Sequence, residues 1–574
     1  MTGCSATASP ATDHASLIPH PASPASVDSL LAALTPRQKV AQLVVPWLLG
    51  NYTAADDSVF QVARRWVREL EVGGIIISVG SPHDVAAKLN RLQDAAPLPL
   101  LVSADLEYGS GMRLTGGTTF PSLMAVGATG EALDAYTIGR GAALEGRAAG
   151  IHVNFAPVAD VNNNPANPII NTRAFGEDPE AVGQLVTAFV RGLREHGMLS
   201  TLKHFPGHGD TEVDSHLGLP VIRADYARLD SVELVPFRAG IAAGADVVMS
   251  AHIAFPGLTG SDDPATLSPD VLTGLLRDSL GFRGMVVTDA LVMGAIVAKY
   301  GAGEAAVRAF LAGSDLLLMP ADPDSAIASM LGAVENGRVT IERLDRSVRR
   351  MLDAKATLGL FARRTVPVDS VMSRVGTQEF QALAQDMAVR ALTLVRDTSG
   401  TFRALGGGPR RLALITYGDE LNTTVGGQIA EGLRAGGDTV EPFRLWPMSG
   451  PQSYDSARAV IARAPAVVFA ANVRPVSWKG FIALPDSLAR LIAVTDSTKP
   501  TLLVSLGSPY LLNQVPTVGS YLLAWSGARV AERAVAHALL GRVPVTGRLP
   551  IRLPPAYPIG HGIRVTEIRP PEAP

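Results

Sequence analysis

From about residue 36, the chain repeats one pattern of hydrophobic and polar positions: a short apolar run rich in β-branched residues, a polar or glycine-containing turn, and an amphipathic helical stretch. Eight such runs lie at 39–46, 73–80, 98–105, 151–160, 198–205, 245–253, 284–291 and 314–322. Apolar runs without alternation are typical of strands buried on both faces, and intervening helices indicate parallel connections. Eight repeats therefore predict an α/β fold with an N-terminal (β/α)8 TIM-type barrel over residues 28–363. The first run, KVAQLVVP at 39–46, could equally begin a helix.

A second α/β unit follows the predicted barrel. The periodicity is lost over 364–378, which indicates a linker, and residues 379–574 are predicted to form a C-terminal domain. The candidate strands of that domain lie at 410–418, 466–473, 501–508 and 520–527. Helical segments between them predict a layered α/β sheet with helices on both faces. The three glycines at 406–408 precede a strand instead of opening a helix after one, so they do not match a phosphate-binding loop.

Composition and charge limit the classes of partner that the protein is expected to bind. Of the 574 residues, 47% are hydrophobic and 18% are charged, and 50 basic residues against 53 acidic ones leave a net charge of -3. Such a chain has no basic stripe to neutralise phosphates, so we expect no nucleic-acid partner. No run reaches the ~18 consecutive apolar residues of a membrane-spanning helix, so we expect no transmembrane segment.

The N-terminal segment 1–27 is predicted to be flexible and contains Cys4, the single cysteine of the chain. Met1-Thr2-Gly3-Cys4, followed by a stretch rich in Ser, Ala, Pro and Thr, resembles the end of a bacterial lipoprotein signal and its tether. The apolar segment that such a signal needs is missing from the sequence. Either the natural precursor extends upstream and is lipid-anchored at Cys4 in the cell envelope, or the four residues are a coincidence and a cytoplasmic protein remains open.

Several predicted strands end at their carboxyl side in a reactive or ligand-binding group. These groups are Asp105, Asp160, Lys203 with His204, His252 and Asp289. Barrel enzymes gather such residues at the C-terminal face of the barrel, whereas residues with only a structural role would be scattered over both ends. The pattern therefore predicts an active site at the C-terminal face.

The largest cluster of potentially reactive side chains lies in the segment 203–220, KHFPGHGDTEVDSHLGLP. His204 and His208 have the spacing of metal ligands on a helix, but Pro206 and the neighbouring glycines disfavour that helix, so we predict no metal and no cofactor. If the chain is extended at Asp214-Ser215-His216, the first and third side chains project to the same side. The carboxylate can then hold one imidazole nitrogen while the other faces outward, which is the arrangement of an oriented general acid.

The segment 203–216 resembles the signature of the β-N-acetylglucosaminidase branch of glycoside hydrolase family 3. Three further segments similar to that family follow the expected order: DLEYGSGMR at 105–113, NTRAFGEDP at 171–179, and the stretch 264–296 that contains VVTDAL. Any one motif is suggestive, whereas four motifs in order are a specific resemblance. The likeness covers most of the predicted barrel and extends more loosely into the second domain.

The resemblance implies a role for each matching position. Asp289 matches the nucleophilic aspartate of the family, His216 its acid/base, and Asp214 the carboxylate that partners this histidine. The positions that bind the hydroxyls of the sugar are matched by Asp105, Arg113, Arg173, Lys203 and His204. Cations around a carboxylate keep it ionised, as a nucleophile must be.

The expected reaction is retaining hydrolysis of a terminal β-linked N-acetylglucosamine through a covalent glycosyl-aspartate, without a cofactor. The family implies a small carbohydrate substrate derived from peptidoglycan or chitin. Three alternatives stay open: a β-glucosidase or β-xylosidase, a β-N-acetylglucosaminide phosphorylase, and a non-catalytic wall-binding lipoprotein. The sequence does not distinguish a monomer from a homodimer.

Overall fold

The computed structural model describes residues 24–406, 410–420 and 422–566, and Cys4 lies outside them. The N-terminal α/β region extends to residue 357, and a helix that begins at Gln378 opens the C-terminal region. The first helix begins at Pro24, inside the segment predicted to be flexible, and Val27 on it is buried. Within the described ranges, no helix combines the length and apolarity needed to cross a bilayer.

The strands of the N-terminal region are short, pair in parallel and follow chain order. They are β1 (Val44–Val45), β2 (Trp47–Leu48), β3 (Gly74–Ile77), β4 (Leu101–Ala104), β5 (Val153–Asn154), β6 (Leu199–Phe205), β7 (Val247–Ser250), β8 (Met285–Thr288) and β9 (Leu317–Leu318). One sheet runs from β2 through β8, and β9 pairs with β1. A further parallel bridge joins Val287, on β8, to Leu316, which precedes β9. Every residue of β3, β4, β6, β7 and β8 is buried, as expected for strands covered on both faces.

The helices of this region connect the strands and cover them. They are α1 (Pro24–Ala33), α2 (Pro36–Ala41), α3 (Ser58–Arg65), α4 (Pro82–Ala95), α5 (Leu123–Thr129), α6 (Ala132–Ala148), α7 (Pro179–Arg194), α8 (Tyr226–Ser231), α9 (Leu234–Ala242), α10 (Pro256–Thr259), α11 (Gly294–Tyr300), α12 (Ala302–Ala312), α13 (Pro323–Glu335) and α14 (Ile341–Thr357). Two π-helices (Trp66–Leu70 and Asp270–Ser279) and three 3₁₀-helices (Ser110–Met112, Asn171–Arg173 and Ala265–Leu267) complete the region. Several of the helices begin as their sequence dictates: Asp178 caps α7 by accepting the Ala181 amide, and Pro179 occupies the first helical position.

The first apolar run is part helix and part strand. Residues 39–41 complete α2, which Thr35 caps together with Gln38, and the strand begins only at Val44. Of the two interpretations that the sequence left open, a strand or a helix, each holds for part of the run. The helix ends in the run instead of beginning there, because its capping residues lie upstream.

The C-terminal region is a six-stranded sheet with helices. Its strands are β10 (Thr393–Asp397), β11 (Arg411–Tyr417), β12 (Thr439–Leu445), β13 (Ala466–Ala471), β14 (Thr501–Ser505) and β15 (Ser520–Leu523), in the order β10-β15-β14-β13-β11-β12. Only β10, on β15, pairs antiparallel. The helices are α15 (Gln378–Ala391), α16 (Thr401–Leu405), α17 (Gly427–Ala435), α18 (Pro451–Arg463), α19 (Asp486–Asp496) and α20 (Arg529–Leu539), with 3₁₀-helices at Val368–Ser373 and Pro509–Asn513.

The sequence pattern did not predict the two edge strands of this sheet, whereas it predicted the four inner strands. β12 carries Glu441, Pro442 and Arg444, and only two of its seven residues are buried, so it lacks a continuous apolar run. Proline is tolerated there because an edge strand leaves one row of backbone groups unpaired. β10 is a short antiparallel edge strand that directly follows α15, so no turn signal separates it from the helix.

The two regions pack closely. Alternate residues of β11 belong to two different hydrophobic cores, and the core that contains Leu412 and Leu414 continues into the N-terminal region. Asp134 accepts two hydrogen bonds of 2.7 Å from the guanidinium of Arg390, across the boundary between the regions. The carboxyl ends of the strands in both regions open into the same cavity.

Candidate active site

A cavity of about 850 Å³ lies between the carboxyl ends of the N-terminal strands and the loops of the C-terminal region. Seven of the eight predicted site residues line it: Asp105, Arg113, Arg173, Lys203, His204, His216 and Asp289. The eighth, Asp214, is 1% exposed and lies directly behind His216. The structure therefore brings all eight together, although the first and last are separated by 184 positions in the sequence.

The floor of the cavity carries a network of ion pairs. Lys203 Nζ lies 2.8 Å from Asp105 Oδ1 and 2.8 Å from Glu107 Oε1. Arg173 bonds both oxygens of Glu107, at 2.7 and 3.0 Å, and Arg113 Nη2 lies 3.1 Å from Asp105 Oδ2. Three cations thus share two carboxylates, which fixes the side chains in place and leaves a surplus of positive charge.

These contacts determine the protonation states of the network. Burial by itself raises the pKa of Asp105, but Lys203 and Arg113 hold it below its usual range. The pKa of Glu107 is likewise lowered: burial raises it, and the Arg173 and Lys203 charges outweigh burial. Burial lowers the pKa of Lys203, yet Asp105 and Glu107 raise it above the ordinary value. All of these groups are therefore charged near neutral pH, and each presents hydrogen-bonding atoms at fixed positions.

Asp160 anchors the start of the histidine-containing loop, residues 206–218. Its Oδ2 lies 2.7 Å from His204 Nδ1, and its Oδ1 accepts the amides of His204 and His208 at 3.1 and 2.7 Å. His208 in turn contacts Thr211 Oγ1 and Ser215 Oγ through its two ring nitrogens, each at 3.0 Å. His208 is therefore bonded through both ring nitrogens within the loop, whereas His204, which precedes the loop, is bonded to Asp160 through Nδ1. The described residues contain no group of three or more His, Cys, Asp or Glu side chains placed to hold a metal.

The Asp214 and His216 side chains form the predicted pair, but through a different backbone geometry. His216 Nδ1 lies 2.7 Å from Asp214 Oδ1, and the same oxygen accepts the His216 amide at 3.0 Å. The amides of Leu217 and Gly218 both bond the Asp214 carbonyl, so the chain turns here. The condition of an extended segment, under which the sequence predicted this pair, is not met, because an aspartate that accepts the amide two residues ahead stabilises a turn.

A loop of the C-terminal region completes this pair. The Trp478 amide donates to the second oxygen of Asp214, Oδ2, at 3.0 Å. The Trp478 ring meets the imidazole of His216 edge-on, with 5.3 Å between ring centroids. Asp214 is thus bonded through both oxygens, and His216, whose side chain is 22% exposed, lines the cavity. Its Nε2 has no hydrogen-bond partner among the residues that the structure describes.

Asp289 follows β8 directly and lies on the cavity. Its Oδ1 accepts the Ala290 amide at 2.7 Å, and His252 Nε2 lies 3.1 Å from the Ala290 carbonyl. Burial raises the pKa of Asp289, but the nearby His252 and His204 and the Ala290 amide together lower it to about 2. The carboxylate is therefore ionised at neutral pH, which a nucleophile requires.

A comparison with known proteins identifies the family of this chain. A family model described as the glycosyl hydrolase family 3 N-terminal domain matches residues 35–354, more than half of the chain. The chain belongs to glycosyl hydrolase family 3. It is a glycoside hydrolase that acts on O-glycosyl bonds, and the resemblance seen in the sequence motifs is confirmed.

Family 3 relatives cover nearly the whole chain. A protein from Cellulomonas fimi named beta-N-acetylglucosaminidase/beta-glucosidase is 31% identical over 92% of this chain and 95% of its own length. The structure of a family 3 beta-N-acetylglucosaminidase from Paenibacillus sp. str. FPU-7 is similar with a TM-score of 0.81 and 34% identity, over 91% of this chain and 99% of that one. A beta-glucoside phosphorylase, BglX, bound to 2FGlc has a TM-score of 0.83 and 27% identity, over 94% of this chain and 98% of that one.

In this family 3 glycosidase, some cavity residues had not been singled out by sequence reasoning. Glu107 lies inside the DLEYGSGMR segment and could have been found there as a buried acid between two motif residues. His208 was weighed only as a metal ligand. Trp478 lies 264 positions from Asp214, in a loop without any motif, so no signal in the sequence pointed to it.

Proposed function

We propose that this glycosidase is a retaining exo-β-N-acetylglucosaminidase. The observation that carries the proposal is the Asp214-His216 pair, held at the same cavity as the ionised Asp289. A carboxylate that attacks and an imidazole that gives and then takes a proton are the two groups that a double-displacement reaction needs. The printed names of the Cellulomonas and Paenibacillus relatives support the choice of sugar.

In the proposed reaction, Asp289 attacks the anomeric carbon while His216 Nε2 gives a proton to the departing oxygen. This gives a covalent glycosyl-aspartate. His216 then removes a proton from a water molecule as its oxygen attacks the anomeric carbon and displaces the Asp289 carboxylate, which releases the sugar with retained configuration. Asp214 keeps the imidazole oriented through Nδ1. Hydroxyl groups of the bound sugar would contact the fixed charged groups of the cavity floor, namely Asp105, Arg113, Arg173 and Lys203, together with His204.

We also infer that the N-terminal region forms a (β/α)8 TIM-type barrel. The parallel pairing from β2 to β8 in chain order, the β1-β9 pairing and the Val287-Leu316 bridge support a ring of strands. A ring gathers the carboxyl ends of all its strands at one face, which is where Asp105, Lys203 and Asp289 lie.

The choice of sugar and of acceptor is tested by a set of substrates. We expect the purified protein to hydrolyse 4-nitrophenyl β-N-acetylglucosaminide with a higher kcat/KM than the matching β-glucoside. A higher kcat/KM on the glucoside would make it a β-glucosidase, a name that the Cellulomonas relative also carries. Sugar 1-phosphate formed in phosphate buffer would make it a phosphorylase, the activity in the name of the BglX relative.

The nucleophile is tested by covalent trapping. A 2-fluoro sugar slows the second step, and peptide mapping should then find the label on Asp289. Asp289→Ala should abolish turnover without unfolding the protein, since the residue lies on the cavity and not in the packed core. Asp94→Ala, on the exposed side of α4, is the matched control. A label on another carboxylate would show that this other residue, and not Asp289, is the nucleophile.

We further propose that the natural substrates are fragments of peptidoglycan or chitin, and that the mature protein is lipid-anchored at Cys4 in the bacterial cell envelope. The Thr2-Gly3-Cys4 sequence and the Ser, Ala and Pro residues after it support the anchor. Mass spectrometry of the native protein should find an acylated Cys4 in the membrane fraction. Native protein in the cytosol, unlipidated and beginning at Met1, would contradict the anchor.

A further inference from the structure

Glu145 is a completely buried carboxylate that bonds to one loop of the active site. It lies on α6, and its hydrogen-bond donors belong to the β4–α5 loop, residues 105–122. The Thr118 amide donates to Oε2 at 2.9 Å, and the Thr118 hydroxyl donates to Oε1 at 2.6 Å. The Ser110 hydroxyl also donates to Oε2. Burying a carboxylate costs free energy unless it is hydrogen-bonded, so these bonds are strongly favoured in the folded protein.

Ser110 and Thr118 form the base of a bend in this loop. The Gly111 amide donates to the Thr118 carbonyl at 2.8 Å and so joins the two arms of the bend. Arg113 lies between the arms, and its amide donates to the Ser110 carbonyl at 2.9 Å. A side chain at Gly117 would place its Cβ 2.3 Å from Ser110 Oγ, so the arms approach closely. The buried carboxylate therefore holds both arms at the point where they meet.

The bend carries Arg113, a member of the ion-pair network on the cavity floor. Among the described residues, its guanidinium has one hydrogen-bond partner, Asp105, at 3.1 Å. Arg173, by contrast, bonds both oxygens of Glu107. The direction of the Arg113 side chain therefore depends more on the backbone that carries it. The Arg113 carbonyl accepts the Gly80 amide at 3.1 Å, so this backbone has a second anchor besides the base of the bend.

We propose that Glu145 is a positioning residue, which holds the β4–α5 loop so that Arg113 meets the hydroxyls of the bound sugar. Arg113 lines the cavity, whereas Glu145 does not and so acts without touching the sugar. The inference rests on the proposed sugar-binding role of Arg113 and adds a residue outside the cavity to it. Loss of Glu145 should raise KM more than it lowers kcat, because a contact made equally before and during the reaction contributes to KM.

The test removes the bonds of Glu145 and follows kcat/KM on 4-nitrophenyl β-N-acetylglucosaminide. Arg113→Ala should lower kcat/KM about 10- to 100-fold, the effect of one lost hydrogen bond to a charged group. Glu145→Leu is similar in size but leaves the donors of Ser110 and Thr118 without an acceptor. It should cause part of that loss, about 3- to 10-fold, mainly through KM. Glu145→Gln keeps one accepting oxygen and should restore most of the activity.

A double variant separates positioning from a general loss of structure. Without its guanidinium, the position of residue 113 no longer matters, so adding Glu145→Leu to Arg113→Ala should leave kcat/KM unchanged. An equal fold loss in both backgrounds would overturn the proposal, as would a wild-type kcat/KM in Glu145→Leu.

Asp246→Leu is the matched control. Asp246 accepts the amide and the hydroxyl of Ser200, at 3.0 and 3.1 Å, but it lies at the amino end of β7, away from the cavity. This variant should lower the free energy of unfolding and keep the wild-type kcat/KM. A fall in kcat/KM as large as that of Glu145→Leu would mean that any lost buried bond slows the enzyme, and would overturn the positioning role.

If Glu145→Leu does not fold, Thr118→Val takes its place, because it keeps the amide and removes only the hydroxyl that bonds Glu145. Thr118→Val should lower kcat/KM and Thr118→Ser should not, and equal values would overturn the proposal. If Arg113→Ala alone keeps the wild-type kcat/KM, the inference fails with the sugar-binding role of Arg113. If the wild-type protein does not cleave the N-acetylglucosaminide, the proposed function fails, and the same variants are then judged with an aryl β-glucoside.

Discussion

At the scale of single residues, the described side chains of the site differ in how many of their polar atoms are bonded to other residues. Asp214 uses both oxygens, one on His216 and one on the Trp478 amide. His208 is bonded through both ring nitrogens, to Thr211 and Ser215, whereas His204 is bonded to Asp160 through Nδ1. His216 faces the cavity with its second ring nitrogen, which makes it the imidazole best placed to exchange a proton with a substrate.

The sharpest prediction at this scale concerns His216→Ala. Substrates with poor leaving groups need a proton, whereas activated aryl glycosides leave unaided, so the variant should lose far more activity on the former. Acid catalysis typically contributes about 100- to 10,000-fold, and that is the expected gap between the two substrate types. The gap is measured as a ratio of kcat/KM values. Equal losses on both substrates would assign His216 to sugar binding or loop structure and reopen the choice of acid.

A second prediction concerns His208 and the pH dependence of stability. Burial, and then the nearby His204, lowers the pKa of His208 to about 4. An unfolded histidine binds its proton near pH 6.5, so this group favours the folded state above that pH, and the contribution is lost as pH falls from 6.5 to 4. In His208→Gln, the difference in unfolding free energy between pH 7 and pH 4.5 should be smaller by about 2 kcal/mol.

Urea unfolding at the two pH values measures this difference. The variant also loses the hydrogen bonds to Thr211 and Ser215, so its stability falls at every pH and only the pH-dependent part is diagnostic. His83→Gln, on the exposed surface of α4, is the control. If His208→Gln keeps the pH dependence of the wild-type protein, the buried imidazole is not the group that titrates.

At the scale of elements, the active site depends on two loops from different regions of the chain. The loop 206–218 carries the candidate acid, and the segment that follows β13 contributes Trp478. Trp478 has φ = 72°, a left-handed conformation that is unusual for a large side chain. The residue is 54% exposed, and its ring contacts the imidazole of His216.

Replacing Trp478 should therefore affect the acid step. Trp478→Ala keeps the backbone amide that bonds Asp214 but removes the ring contact with His216. We expect kcat/KM to fall about 3- to 10-fold, with the larger loss on substrates with poor leaving groups, and a shifted pH profile. Trp478→Phe should restore part of the activity because it keeps an aromatic edge. Phe481→Ala, at an exposed position three residues further along, is the control, and an equal effect there would mean only a general loosening of the segment.

At the scale of the whole molecule, the two regions share one hydrophobic core and buried charges. Phe120 and Phe380 meet edge to face across the boundary, with 6.3 Å between ring centroids. Glu177, a nearly buried carboxylate of the N-terminal region, bonds Arg552 at 2.5 Å. Such contacts couple the stability of the regions, because neither can separate without exposing apolar surface and unpaired charge.

This coupling predicts a single cooperative unfolding transition in calorimetry. Arg390→Ala leaves the buried carboxylate of Asp134 without its cation, so the whole transition should move to a lower temperature, with a loss of about 1–2 kcal/mol. Arg458→Ala removes an exposed ion pair and should have little effect. Two separate transitions, of which only one moves in Arg390→Ala, would show that the regions unfold independently.

The sequence by itself determined the buried strands and the residues at their ends. Strands covered on both faces are mostly apolar, so β3, β4, β7 and β8 can be recognised as nearly continuous apolar runs, and the buried strand β6 also carries the polar residues Lys203 and His204. The polar residue that ends such a run, for example Asp289, is conspicuous for the same reason. All eight predicted site residues were found in this way or through motifs, which are local in sequence.

Only the tertiary structure decided how those residues are held and what else surrounds them. Glu107 is held by the side chains of Lys203 and Arg173, and Asp214 accepts the distant Trp478 amide. The turn at Asp214 depends on the bond from the His216 amide to its side chain. None of these contacts imposes a periodicity on the sequence. The edge strand β12 is half exposed, so its composition resembles that of a loop. The periodic burial of strands and helices can be predicted from the order of apolar and polar residues, whereas contacts between distant segments form only when the chain folds.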